Sequence, residues 1–183
     1  MPFKTLTRRK KYQGRIFDVA EVRVRLPDGI ERNYDLVEHG DSVTILPVDA
    51  DGFIYFVTQH RVGSGAALME LPAGVLDEGE EPLTAARREL QEEIGMAAKE
   101  FQYLGGFYLA PGYTDEFMSV FLATDLVESI LEPDEDEFIE VSRLSTSEVF
   151  RKAFRGDFAD GKTLAALFLA QPYLKSQGGN ESS

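Results

Sequence analysis

The sequence contains no cysteine and only two histidines, His39 and His60. Without cysteine there are no disulfides, no thiolate zinc sites and no cysteine nucleophile. Two histidines are too few for a His-rich metal centre or for the paired-histidine helix of a zinc hydrolase. No apolar run approaches the roughly 20 residues a membrane helix needs, so no membrane partner is expected. Residues 1–11 are basic but lead into no apolar segment, so a secretory signal is not expected and a cytoplasmic location is. Positive charge is scarce as well. Against 32 Asp and Glu stand 19 Lys and Arg, a net charge of −13. That field repels a nucleic-acid backbone, and no nucleic-acid partner is expected. A phosphorylated small molecule stays possible if a divalent cation lies between the two sets of negative charge.

What is present is globular: 183 residues, 43% hydrophobic and 28% charged, the size of one domain with a small appendage. The charge is uneven. The first 32 residues are net basic, whereas residues 128–140 carry acids and not one base. Residues 14–26 alternate, and Pro27-Asp28-Gly29 turns them into residues 30–37, which predicts a hairpin. Further strands are expected over 42–48, 53–59 and 67–71, the first two joined by the turn at 49–52. Pro82 suits the first turn of a helix in which Leu83, Ala86, Leu90 and Ile94 form one apolar stripe, ended by Gly95. Strands are expected over 101–109, 117–126 and 138–144. Ser145 with Glu148 makes a capping box for a helix to about Arg155, and Asp160 caps a last helix over 163–174. Strands, helix, strands, helices in that order predict an α/β fold with a mixed sheet. The boundaries expected are an N-terminal β-sheet segment over 1–40, a main domain over 41–175 and a frayed tail over 176–183.

The informative stretch is residues 74–96. Glu89 and Glu93 are four apart on the predicted helix, so their carboxylates share a face, and Glu92 flanks it. Arg88 is placed to pair with Glu92 and hold the acid cluster together. The apolar stripe pins the helix to a core while the carboxylates point outward. Three carboxylates so close repel one another unless a cation neutralises them, and oxygen-only ligands favour Mg²⁺, with Mn²⁺ an alternative. A solvated acidic helix face would have the same composition.

The spacing decides between them. Gly74, five residues, Glu80, seven residues, Arg88-Glu89-Leu90, one residue, Glu92-Glu93, one residue, Gly95-Met96 resembles the Nudix box at every fixed position. An accidental match at a given start is rarer than about one in 10⁸ at typical residue frequencies. The resemblance to the Nudix hydrolase family implies an α/β/α sandwich with a mixed sheet, here with a small N-terminal antiparallel sheet. It also implies hydrolysis of a nucleoside diphosphate linked to another group. Metal held by Glu89 and Glu93, with Glu92 nearby and the Ala73 carbonyl as a further ligand, would mask phosphate charge and orient the attacking water. Arg88 belongs to this catalytic group as the cation that organises it.

Residues outside the box resemble the branch that cleaves ADP-ribose and other nucleoside-diphosphate sugars. The resemblance runs from about residue 14 to residue 169. Glu70-Leu71-Pro72-Ala73-Gly74 enters the box as in that branch, which implies that Glu70 lines the nucleotide site; an ordinary strand residue is the alternative. Gln59-His60-Arg61 resembles its strand-end Gln-x-Arg. Arg61 is suited to grip a phosphate bidentately, or else pairs with a surface acid. Asp134-Glu135-Asp136-Glu137 matches the acidic loop that implies Glu135 as general base and Glu137 as metal ligand, with Glu92 and Glu93 as rival bases. In the stretch 110–116, Ala110 and Pro111 shape a loop beside the substrate and Glu116 is a candidate sugar contact. Asp160-Gly161-Lys162-Thr163-Leu164 resembles the start of the last helix. In this branch the N-terminal sheet exchanges between subunits, which implies a homodimer with Arg15, Ile16 and Phe17 near the base and Asp35 accepting from an adenine amino group. The reaction implied is ADP-ribose to AMP and ribose 5-phosphate. The rivals are GDP-mannose or ADP-glucose as substrate, and a sensor that binds ADP-ribose without cutting it. The sensor is disfavoured because every acid of the box is in place.

Overall fold

The computed structural model describes residues 2–129, 131 and 138–175. In chain order the elements are β1 (Lys4–Gln13), β2 (Asp18–Arg25), β3 (Glu31–Glu38), β4 (Ser42–Pro47), β5 (Phe53–Arg61), β6 (Ala66–Glu70) and β7 (Ala73–Val75). Then follow α1 (Pro82–Ile94), β8 (Met96–Tyr108), β9 (Phe117–Glu128), β10 (Glu140–Ser145), α2 (Thr146–Arg155) and α3 (Gly161–Lys175). They fall into two compact units, Met1–Asp41 with Phe107–Met118, and Ser42–Gly106 with Ser119–Ser183.

The first unit is a three-stranded antiparallel sheet in the order β1-β2-β3. Its β2–β3 hairpin is the expected one. It turns through Gly29, whose φ of 88° suits a residue without Cβ, and the Asp28 side chain accepts the Ile30 N–H at 2.9 Å. Strand β1 was not expected. Nearly all its residues are exposed, so it shows no hydrophobic alternation to read. Its ladder to β2 and cross-strand pairs such as Lys10 with Asp18 and Lys11 with Glu21 hold it instead. The segment Phe107–Met118 belongs to this unit. Its turn closes by N–H bonds of Tyr113 and Thr114 to the Ala110 carbonyl, and it is tied to the end of β3 by Val37 N–H to Tyr113 O at 2.7 Å.

The second unit is the α/β body. Its sheets run β10-β5-β6 and β7-β4-β9-β8. All six residues of β4 are buried. Its Val43 and Ile45 join Ala85, Ala86 and Leu90 of α1 and Phe121 and Ala123 of β9 in one core cluster. Period-two alternation turns Thr44 and Leu46 to the opposite face of β4, where α3 packs with Ala166, Leu167 and Ala170 buried. Helix, sheet and helix are therefore layered around β4, which is the expected fold class. The caps of the last two helices also agree. Ser145 accepts the Glu148 N–H, and Asp160 Oδ2 accepts both the N–H and the hydroxyl of Thr163, at 2.9 and 2.6 Å.

Helix α1 is where expectation and structure part. Pro82 occupies its first turn and Gly95, left-handed at φ 68°, ends it as expected. Its inward face is different. Ala85, Ala86, Glu89, Leu90 and Glu93 are buried, while Leu83 is among the exposed apolar side chains. The carboxylates of Glu89 and Glu93 thus do not point outward; the partners described next carry them inside. No described helix is long and apolar enough to cross a membrane.

Candidate active site

Glu89 and Glu93 are 8% and 4% exposed. What covers them is β7, three residues long and paired antiparallel with β4 through Thr44↔Ala73, Val43↔Gly74 and Ser42↔Val75. The Ala73 N–H donates to Glu93 Oε2 at 2.9 Å. Beside it Gly74 lies so close to Glu89 that a Cβ there would overlap the carboxylate. Backbone polar groups of β7 therefore run along the acid edge of α1, and the missing side chain at Gly74 permits the approach.

Arg88 ties the rest together. Its Nη1 donates to Glu89 Oε1 at 2.7 Å and to Glu92 Oε2 at 3.0 Å. Its Nη2 donates to Glu80 Oε2 at 2.9 Å and to the Val75 carbonyl at 3.2 Å, and its Nε to Glu80 Oε1 at 3.3 Å. Glu80 also receives the Asp77 N–H at 3.0 Å, which closes the loop ahead of the helix. Hydrogen bonding to Glu80 holds the Arg88 guanidinium above its ordinary value, and the same bonds hold the Glu80 carboxyl below the usual carboxylate range. The sequence-based pairing of Arg88 with Glu92 is present, but the arginine serves three acids and a carbonyl. All five of its N–H donors are committed to the box.

The charge count bears on metal binding. One guanidinium faces the carboxylates of Glu80, Glu89 and Glu92, and Glu93 lies on the same helix face. Among the described residues no three His, Asp or Glu side chains converge as a ready cation cage. The donor types nonetheless fit a hard divalent ion: buried carboxylates beside backbone polar groups, with no sulfur or imidazole. Glu89, Glu93 and the Ala73 carbonyl are the groups that could hold it, with Glu92 at the edge.

A second charged cluster lies in the same unit. Arg61, at the end of β5, grips Glu70 with a fork: Nε to both carboxylate oxygens at 3.0 and 3.1 Å, and Nη2 to Oε2 at 2.7 Å. Glu70 is 1% exposed and also pairs with Lys162, whose Nζ lies 3.0 Å from Asp160. The bond to Glu70 keeps the Arg61 guanidinium above its ordinary value against the effect of burial, and the charges of Glu93 and Asp160 add to it. Arg61 pairs with a buried acid, not a surface one. The Glu70 carboxylate is buried between two cations, Arg61 and Lys162. Nothing in the sequence marks Lys162 as buried, since its partner Glu70 is 92 residues away.

The remaining expected contacts belong to the first unit. Arg15 and Ile16 sit in the connection from β1 to β2, with Ile16 69% exposed. Asp35 is exposed on β3 opposite Glu21. Ala110 and Pro111 form the turn noted above, and Glu116 lies 3.7 Å from His39 Nδ1. Asp115, a neighbour the sequence did not single out, accepts from the His39 N–H and from Arg8. Glu135 and Glu137, the expected base and further ligand, lie outside the described residues.

Fold and box together define the class. The model of the NUDIX domain matches residues 38–167, and the chain belongs to that family. It is 36% identical over 166 residues to an ADP-ribose pyrophosphatase of Bacillus subtilis (strain 168), covering 90% of each chain. An ADP-ribose pyrophosphatase of Mycobacterium tuberculosis is also 36% identical, over 90% of this chain and 81% of the relative. A crystal structure of an ADP compounds hydrolase superimposes with a TM-score of 0.86 at 28% identity, covering 97% of both chains.

Proposed function

We propose that this protein hydrolyses the diphosphate bond of ADP-ribose to AMP and ribose 5-phosphate, using Mg²⁺ or Mn²⁺, as a cytoplasmic homodimer. The observation that carries the reading is the buried pair Glu89 and Glu93, packed under the backbone of β7 and organised by Arg88. A diphosphate resists attack because its own negative charge repels water and leaving group alike. Glu89, Glu93 and the Ala73 carbonyl would hold a divalent ion there, which would supply that masking of charge. The protein contributes the rest. Arg88 fixes the rotamers of Glu89 and Glu92, Ala73 fixes Glu93, and the acids are thereby preorganised for oxygen coordination before substrate arrives. Arg61, its plane fixed by Glu70, presents a guanidinium to a phosphate oxygen. Glu135 would take the proton of the attacking water, with Glu92 or Glu93 as the substitute base, and Glu137 would be a further ligand. Arg15, Ile16 and Asp35 meet the adenine, and Ala110, Pro111 and Glu116 the sugar. Close likeness over nine-tenths of the chain to two ADP-ribose pyrophosphatases supports the choice of substrate.

A hydrolysis panel with Mg²⁺ at mildly alkaline pH tests this, with ADP-ribose, ADP-glucose, GDP-mannose, a dinucleoside tetraphosphate and an oxidised dGTP, products resolved by chromatography. AMP should appear fastest from ADP-ribose. Faster turnover of GDP-mannose would keep the metal chemistry and overturn the base contacts. Binding of ADP-ribose without turnover of any compound would make the protein a sensor. Glu93→Gln should lower kcat on the order of 10³-fold, the several kcal/mol a metal ligand supplies. Metal-free ADP-ribose binding, read by calorimetry, should change little.

A further inference from the structure

We propose that Lys162 is a positioning residue for the diphosphate grip, acting through Glu70 on Arg61; this rests on the reading of Arg61 as a phosphate contact. One edge of the Arg61 guanidinium, formed by Nε and Nη2, is committed to Glu70, while the side chain keeps 41% of its exposure. Such a fork fixes the plane of the guanidinium, so an anion arriving at the Nη1 end meets a donor already oriented. A fork alone also has a drawback. A fully buried carboxylate neutralises the arginine it orients and weakens its pull on a phosphate.

Lys162 answers that difficulty. Its ammonium, on a residue 9% exposed, shares Glu70 Oε2 with Arg61, so the single negative charge of Glu70 is divided between two cations. The lysine is held in turn. Asp160 Oδ2 bonds its Nζ and at the same time caps α3 through the N–H and hydroxyl of Thr163. The Thr163 hydroxyl accepts the N–H of Leu71, the residue next to Glu70, at 2.9 Å. The first turn of α3 is thus fastened to the end of β6 twice, by a hydrogen bond at Leu71 and by the ion pair at Glu70. Burying a lysine costs several kcal/mol of desolvation, and apolar replacement of such pairs is often neutral or stabilising. Stability alone does not account for an ammonium at this position; control of the Glu70 charge does.

The test is a double-mutant cycle on the full chain with saturating Mg²⁺, reading kcat and KM for the panel's best substrate alongside thermal unfolding. Lys162→Met should lower kcat/KM roughly 10-fold, chiefly through KM, the scale of a misplaced binding group. Lys162→Arg should restore part of the loss. In an Arg61→Ala background, Lys162→Met should add nothing. Penalties that multiply would overturn the proposal while leaving Arg61 as the grip. An Arg61→Ala variant with unchanged kcat/KM would remove the grip, and the role of Lys162 with it. If Lys162→Met melts below the assay temperature, Glu70→Gln replaces it in the same cycle. That variant keeps the side chain's shape, removes the shared charge and should show the same lack of added effect.

Discussion

At Gly74 the chain needs an absence of side chain, for a reason that concerns Glu89 more than backbone conformation. A methyl group there would occupy the space of the Glu89 carboxylate, and the surrounding acids leave that carboxylate few alternatives: Glu92 accepts the other N–H of Arg88 Nη1 and Glu93 accepts the Ala73 N–H. Gly74→Ala should therefore displace Glu89 by the width of a methyl group while β7 stays paired with β4. An error of about 1 Å in a catalytic group costs up to roughly 10²-fold in rate. We expect kcat to fall by that order while the circular dichroism spectrum stays that of the wild type. A Gly74→Ala protein with full activity would show that the reaction does not depend on the present position of the Glu89 carboxylate.

The loop–helix element of the box has its own pH dependence. Glu80, ahead of α1, is bound by Arg88 from the helix's second turn, and the contact holds the Glu80 carboxyl below its ordinary value of 4.5. A depressed folded pKa contributes stability that is fully present above the unfolded value and is lost as pH falls through the lower folded value. Unfolding temperatures of the wild type and Glu80→Gln, compared from pH 7 to pH 3, should differ by a constant amount above about pH 4.5. The gap should close in more acid solution. A gap that stayed constant to pH 3 would show that the Arg88 contact does not depend on charge. The same element shows how far sequence could be read. The existence of α1, its start at Pro82 and its stop at Gly95 are local matters of backbone geometry, and they were legible. The face it buries was not, because the partners of Glu89 and Glu93 lie on a strand of three residues with no periodicity of its own. For β1 the reason is similar: an exposed, cation-rich strand is defined by its ladder, which is a tertiary fact. The Arg61–Glu70–Lys162 cluster needs three distant segments at once, and only its arginine carried a signal.

For the molecule as a whole, a net charge of −13 must be reconciled with a polyanionic substrate. One partly exposed guanidinium at Arg61 is small against that field, and Arg88 is bound to three acids already. Divalent cations can, and if they bind at the buried acids of α1 they must also stabilise the fold, because the unfolded chain has no such site. By linkage, a ligand at about 100 times its Kd adds about 2.7 kcal/mol. For a chain of this length that corresponds to a rise of roughly 5–10 °C in unfolding temperature. We expect a concentration-dependent rise of that size with Mg²⁺ in the wild type, read by calorimetry, and less than half of it in Glu93→Gln. Sodium chloride at matched ionic strength separates the two explanations. Screening of a repulsive field would act on both proteins and with either salt. A site built from Glu89 and Glu93 responds to the divalent ion and fails when one ligand is neutralised. Equal shifts in the two proteins would move the cation off α1, and the mechanism of charge masking would have to be sought elsewhere on the acidic surface.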